Sequence, residues 1–210
     1  DSAKNNKIKK IIIASSNAVV GKSNVSITEN SITKPSNFYG LSKLTSEHYA
    51  RIYYELFNLQ TVCLRFGNVY GPGSYAKTSV IPKFIKNIIN GKKCNINGDG
   101  KQTRDFIYID DLISSIFQSL KINKIGGEIF QISTGKKTSI NELSKLIYKN
   151  FKKFRINNVN FQFSRKRKGD VKANFSNISK AKKILKWKPL MTLDKGISDT
   201  IEYFLNEKKN

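Results

Sequence analysis

Tyr39 and Lys43, four residues apart in the stretch NFYGLSK, make a candidate acid–base pair. A phenol with a reference pKa of about 10 is a poor base at neutral pH unless a nearby cation favours its phenolate. On a helix, a lysine four residues on lies one turn away on the same face and can supply that cation. Spacing alone decides nothing. With 9 tyrosines and 32 lysines in 210 residues, composition by itself yields about one and a half such pairs. A second pair, Tyr148 and Lys152, is indeed present. Context separates the two. Tyr148 lies in NELSKLIYKNFKK, which reads as an amphipathic helix with solvated lysines. Tyr39 instead opens a helix after Pro35-Ser36-Asn37, and upstream of it SSNAVVG (15–21) follows a short apolar run. Side chains at the carboxyl ends of strands in an open α/β sheet face the ligand crevice. Ser16, placed there, can hydrogen-bond a substrate hydroxyl while a phenolate removes its proton.

Other chemistries have little to work with. His48 is the only histidine, which argues against a multi-histidine metal site and leaves a Ser-His-Asp triad a single candidate base. Cys63 and Cys94 sit in separate apolar contexts and read as buried thiols of a reducing compartment, so a cytoplasmic setting without metal is expected. No run of about 18 apolar residues is present to cross a membrane, and Ile11–Ala14 is too short for a signal-peptide core. The net charge of +23 raises nucleic acid as a partner. Yet lysine outnumbers arginine 32 to 6 and is spread along the chain, whereas phosphate-clamping and base-reading surfaces lean on arginine on one face. Neither nucleic acid nor membrane is expected as a partner.

The elements that must position these residues alternate. KKIIIA (9–14) reads as a buried strand, Phe38 to Phe57 as a helix, and TVCLRF (61–66) as a second strand. A Gly/Pro loop (67–74), a helix near 80–90, a short strand at CNI, the turn NGDGKQT and a strand at DFIYI (105–109) follow. Helix 110–120, strand 128–133, helix 139–151, a strand at VNFQF (159–163) and helices near 176–186 and 193–207 complete the chain. This alternation predicts an α/β fold with a parallel sheet. A doubly wound nucleotide-binding domain begins with a strand and a glycine-rich turn, and nothing before Lys9 supplies one. Two stretches imitate phosphate loops and are set aside. GPGSYA (71–76) contains a proline, and STGKKTS (133–139) has Phe130 where that motif needs its first glycine.

Five blocks in order carry a resemblance: SSNAVVG, NFYGLSK, LRFGNVYGP (64–72), GDGKQTRDFIYIDDL (98–112) and RKGDVKANFSNISKAKKILKWKP (167–189). The chain resembles roughly the carboxyl-terminal two-thirds of an extended short-chain dehydrogenase/reductase, the NAD-dependent nucleotide-sugar epimerase/dehydratase family. The resemblance implies a Rossmann-like parallel sheet truncated at its amino-terminal half, with a small carboxyl-terminal α/β substrate-binding part. Residues 1–72 would be the remaining Rossmann portion and 73–210 mainly the substrate portion, with 105–133 returning to the sheet. It also implies a longer parent polypeptide, NAD as cofactor, a UDP-sugar as substrate and a homodimer. Ser16, Tyr39 and Lys43 match the catalytic positions, with Tyr39, Lys43 and Phe66 on the cofactor side. Asn68, Arg104, Arg167, Asp170 and Asn174, together with Ser16, match substrate-binding positions. Arginine suits a diphosphate because its guanidinium makes a planar fork.

The resemblance also separates the branches of the family. Dehydratases of the family carry an Asp-Glu pair directly after the catalytic residue, whereas this chain has Asn17 and Ala18. Neither can move a proton as a carboxyl does, so 4,6-dehydration is disfavoured. Ala18 also lacks the Glu that decarboxylases keep, and no cysteine lies near Ser16 for the GDP-fucose synthase chemistry. A 4-epimerase of a UDP-hexose or UDP-N-acetylhexosamine is expected. The alternatives are another NAD-dependent dehydratase or reductase and a non-catalytic sugar-nucleotide binder. Asn174, where hexose epimerases gate the room for an N-acetyl group, hints at N-acetylated sugars. Tyr49, Ile52, Tyr53 and Leu56 have the apolar spacing for a helix–helix dimer contact.

Overall fold

The structure, a computed structural model, describes residues 1–166 and 171–208. A single turn, α1 (Ser2–Asn5), leads into β1 (Lys10–Ser16). The branched run Ile11-Ile12-Ile13 gives this strand its extended preference. Helix α2 (Phe38–Phe57) returns the chain to β2 (Gln60–Phe66), which pairs parallel to β1. After β3 (Asn68–Tyr70), α3 (Val80–Ile89), β4 (Cys94–Asn97), β5 (Thr103–Arg104), β6 (Phe106–Tyr108) and α4 (Ile109–Lys121), strand β7 (Glu128–Ile132) pairs parallel to the far side of β2. The sheet order is β1-β2-β7. Its register sets Ser16 beside Phe66 and Phe66 beside Ile132, so the three carboxyl ends finish level.

Alternation along β2 divides the sheet into two faces. Thr61 and Arg65 bond to α2 residues, while Val62 and Leu64 join Leu112 of α4, Phe130, Ile132 and Trp187 in one apolar core. A second core gathers α3, β8 (Thr138–Ser139) with α5 (Ile140–Lys153), β9 (Phe161–Ser164) and α6 (Leu193–Glu207) around Phe84, Ile147, Phe151 and Phe204. Short pairings stitch this part together: β4 with β9, β3 with β6, and β5 between β8 and β10 (Ala173–Asn174). Strand β1 has β2 on one side and no strand on the other among the described residues.

Most elements lie within a residue or two of their predicted positions; α2 matches at both ends. The helix predicted near 176–186 is shorter. Backbone bonds from Ile27 to Phe175 and from Asn177 to Ile27 hold 175–177 extended, and the Asn177 side chain accepts from Ser179 N. Helical winding therefore starts only at residue 179, with Ala181–Leu185 in a π-helical turn. The loop 67–74 also contains β3, which the glycines had hidden.

Candidate active site

The start of α2 is fixed against the end of β1. Asn37 caps the helix, its side chain accepting from Gly40 N at 2.8 Å. A Cβ on Gly40 would lie 2.5 Å from Ala18 O, so only glycine lets this turn approach the Asn17–Val19 turn so closely. Tyr39 and Lys43 follow on the same helix. Lys43 Nζ donates to Ala14 O at 2.9 Å and lies 5.7 Å from the Tyr39 ring centroid. Ser16 closes β1 two residues beyond Ala14, and its Oγ accepts from Ala18 N. Tyr39 is 56% exposed, open to an incoming ligand.

One turn below Lys43, α2 is bolted to the sheet by charge. Glu47 and Arg65 are both buried and meet in a two-pronged pair, Nε to Oε1 at 2.8 Å and Nη2 to Oε2 at 2.7 Å. Ser15 Oγ also donates to Glu47 Oε1, so a β1 residue joins the pair. Neither residue stands out among the candidate site residues in the sequence. A charged residue four places after Lys43 on the same helix face was the available signal.

A cavity of about 210 Å³ opens at the carboxyl end of the sheet, lined by Ser16, Asn17, Phe66, Asn68 and Asn174 among others. Asn68 also lines a neighbouring cavity of about 300 Å³ with Arg104, Lys83 and the start of α3. A third cavity shares Asn97 and Gln102 with the second and adds Lys101, Lys166 and Lys172. Together they form a chain of pockets running from Ser16 into lysine-rich ground, a polarity that suits an anionic ligand. Tyr39 and Lys43 are not lining residues of these cavities; they stand on the helix beside the Ser16 end. Arg167 and Asp170 lie outside the described residues.

Arg104 is held by its backbone neighbours, Nη1 donating to Thr103 O and Val171 O. Asp105, the next residue, is fully enclosed. Its carboxylate accepts from Thr134 N, Gly135 N and Ser176 N, and from the Thr134 hydroxyl. This explains the phosphate-loop imitation at 133–139. The turn does bind an anion, but the anion is the protein's own Asp105.

Asn17 sits at the cavity floor, 3% exposed. Its Nδ2 donates to Ser176 Oγ at 2.8 Å and Asn174 Oδ1 at 3.2 Å, tying β1's end to β10. The cavity around Ser16 is lined by no carboxylate among the described residues.

The family model described as GDP-mannose 4,6 dehydratase matches residues 1–200. The chain belongs to the NAD-dependent sugar-nucleotide epimerase/dehydratase family. A dTDP-D-glucose 4,6-dehydratase of Dictyostelium discoideum is 37% identical over 159 residues, covering 70% of this chain and 36% of that protein. Among solved structures, a UDP-N-acetylglucosamine 4-epimerase from Methanobrevibacter ruminantium, in complex with UDP-N-acetylmuramic acid, superposes with a TM-score of 0.90. It is 30% identical and covers 98% of this chain and 66% of its own. A UDP-glucuronic acid 4-epimerase from Bacillus cereus, with UDP-glucuronic acid and NAD, gives 0.89 at 30% identity, covering 98% of this chain and 64% of its own. The chain thus spans at most about two-thirds of these relatives' length. Epimerases and dehydratases both stand among the family members it resembles.

Proposed function

We propose that the protein is a UDP-sugar 4-epimerase that uses NAD. The observation that carries this over dehydration is the cavity beside Ser16, where Asn17 and Ala18 replace the carboxyl pair and no Asp or Glu lines the wall among the described residues. In this reading Ser16 holds the oxygen at the sugar C4, Tyr39 takes and later returns the proton of that hydroxyl, and Lys43 steadies the phenolate by its charge. NAD, when bound, supplies the hydride acceptor and donor for C4. The residues present fit the nicotinamide-ribose end of that cofactor. Lys43 spends one of its three N–H donors on Ala14 O, leaving two for ribose hydroxyls, and Phe66 offers an aromatic wall. The turn after β7 offers the pyrophosphate end no free donors at Thr134 and Gly135, whose N–H groups are committed to Asp105.

Asn68 and Asn174 would contact the sugar, and Arg104, with Arg167, the diphosphate; Asp170 would meet the nucleotide ribose. The lysines along the chain of pockets add positive potential for the same diphosphate. A homodimer through α2 fits its outer face, where Tyr49, Ile52 and Leu56 stand exposed. A cytoplasmic setting fits the two free, buried thiols. To test the function, the full-length polypeptide with NAD is incubated with UDP-glucose, UDP-N-acetylglucosamine or UDP-glucuronate, and the products are read by proton NMR. Appearance of a 4-epimer supports the proposal. A 4-keto-6-deoxy product, or no conversion of any of the three, overturns it.

A further inference from the structure

Ser16, Tyr39 and Lys43 reach the site from two elements, and those elements are fixed to each other just beneath it. Along β1 the contacts to α2 fall on successive residues. The Ala14 carbonyl accepts from Lys43 Nζ, the Ser15 hydroxyl donates to Glu47, and Ser16 closes the strand. The flexible stem of lysine makes the first of these a loose tie. The second is rigid. Glu47 is 4% exposed, and its carboxylate accepts three bonds, from Ser15 Oγ and Arg65 Nε on Oε1 and from Arg65 Nη2 on Oε2. The donors stand on neighbouring strands, because Ser15 pairs in register with Arg65, and the next pair along is Ser16 with Phe66. Arg65 carries the tie further, Nη1 donating to Glu29 O at 3.4 Å while Glu29 Oε1 accepts from Gln131 N of β7. One carboxylate on α2 thus holds two strands one residue short of the site and is linked through Glu29 to the third.

Stability alone is a poor account of such a network. A buried ion pair adds little over apolar side chains of the same volume, because desolvation offsets most of its attraction. Directed, charge-assisted bonds do fix geometry, and a displacement of about 1 Å at a catalytic centre can slow a reaction about a hundredfold. We propose that Glu47 is a positioning residue for the epimerisation. Its carboxylate sets α2 against β1 and β2 so that Ser16 Oγ and the Tyr39 phenol converge on one sugar oxygen. The role rests on the 4-epimerase reading of Ser16 and Tyr39. Glu47 does not line the cavity beside Ser16, so it acts through them.

The test measures kcat and KM for C4 inversion on the full-length polypeptide with NAD. Ser15→Ala removes the β1 arm and leaves the Glu47–Arg65 pair intact; kcat should fall about tenfold with KM unchanged. Ser15→Thr keeps a hydroxyl at that position and should recover kcat to within about twofold. A triple variant, Ser15→Ala with Glu47→Met and Arg65→Met, leaves no charge or hydroxyl of the clamp unpaired. Its urea midpoint should lie near that of the unaltered protein, while its kcat should stay about ten- to a hundredfold down. A triple variant with both midpoint and kcat restored would mark a purely structural pair and overturn the proposal. So would a Ser15→Thr variant as slow as Ser15→Ala. Absence of epimerisation by the unaltered full-length protein sinks the reading beneath and not the clamp, which then has a second readout. Ala18 N–H donates to Ser16 Oγ at 3.2 Å, and its hydrogen exchange should quicken in Ser15→Ala. An unchanged exchange rate there would overturn the clamp as well.

Discussion

Helices α2 and α5 each carry a tyrosine with a lysine one turn on, and the closer pair is the one on α5. Lys152 Nζ lies 4.5 Å from the Tyr148 ring centroid, against 5.7 Å for Lys43 and Tyr39. Proximity of phenol and ammonium is thus an ordinary product of helical spacing in a lysine-rich chain. The two regions differ in what anchors them. Lys43 is tied to the Ala14 carbonyl of a parallel strand, Gly40 lets the helix start touch Ala18, and a buried Glu47–Arg65 pair locks the next turn. On α5 the charges face outward: Lys149 meets Asp194 in an exposed pair, and the buried positions are the apolar Ile140, Leu143, Ile147 and Phe151 with the polar Ser144 and Asn150, which donates to the same Asp194. A candidate site is therefore marked by the cost of holding a helix end in one place, not by the pair itself.

That contrast breaks first under charge removal. Arg65→Met leaves the Glu47 carboxylate buried without its partner and should destabilise the protein by about 3–5 kcal/mol in urea unfolding. Removing Lys149 from its exposed pair should cost about 0–1 kcal/mol. Similar losses in the two variants would dissolve the distinction between the helices. Next in size, Lys43→Met should slow epimerisation about a hundredfold while UDP affinity holds, and Lys152→Met should change neither.

Two smaller effects sharpen the comparison further. Burial, with a contribution from Glu47, pushes the Cys63 thiol up to about 12, and burial pushes Cys94 up to about 11. In the unfolded chain both release their protons near pH 8.5. The folded state then holds more protons above that pH, so this share of stability is whole below about 8.5 and declines as pH rises toward 11–12. Urea midpoints between pH 8 and 10.5 should fall less steeply in a Cys63→Ala, Cys94→Ala double variant. Smallest is the capping box of α5, where Ser139 and Glu142 bond reciprocally. Ser139→Ala should cost about 1 kcal/mol. Its two hydrogen bonds hold the Glu142 carboxyl below the usual carboxylate range, so their contribution is present at neutral pH and fades as pH falls into the acid range.

Much of this was legible in the chain because it is local. The branched run of β1, the Asn37 cap and the apolar stripe of α5 are statements about neighbours in sequence, and the elements appear where those statements put them. What the sequence hid is relational. Arg65 and Glu47 stand 18 positions apart and look like surface charges until α2 folds over β2. The turn at 133–139 looked like a poor phosphate loop because its anion, Asp105, comes from 29 positions upstream. Asn17 read merely as a missing acid, and its unpaired carbonyl exists only once Ser176 and Asn174 have claimed the other end of the amide.

The most direct test of the account compares the two tyrosines in one assay. Initial rates of C4 inversion, followed by proton NMR on the best UDP-sugar, are measured for Tyr39→Phe and Tyr148→Phe beside the unaltered protein. The account predicts a loss of about 10²–10⁴-fold for Tyr39→Phe and an unchanged rate for Tyr148→Phe. An active Tyr39→Phe variant, within about tenfold of the unaltered protein, would contradict it.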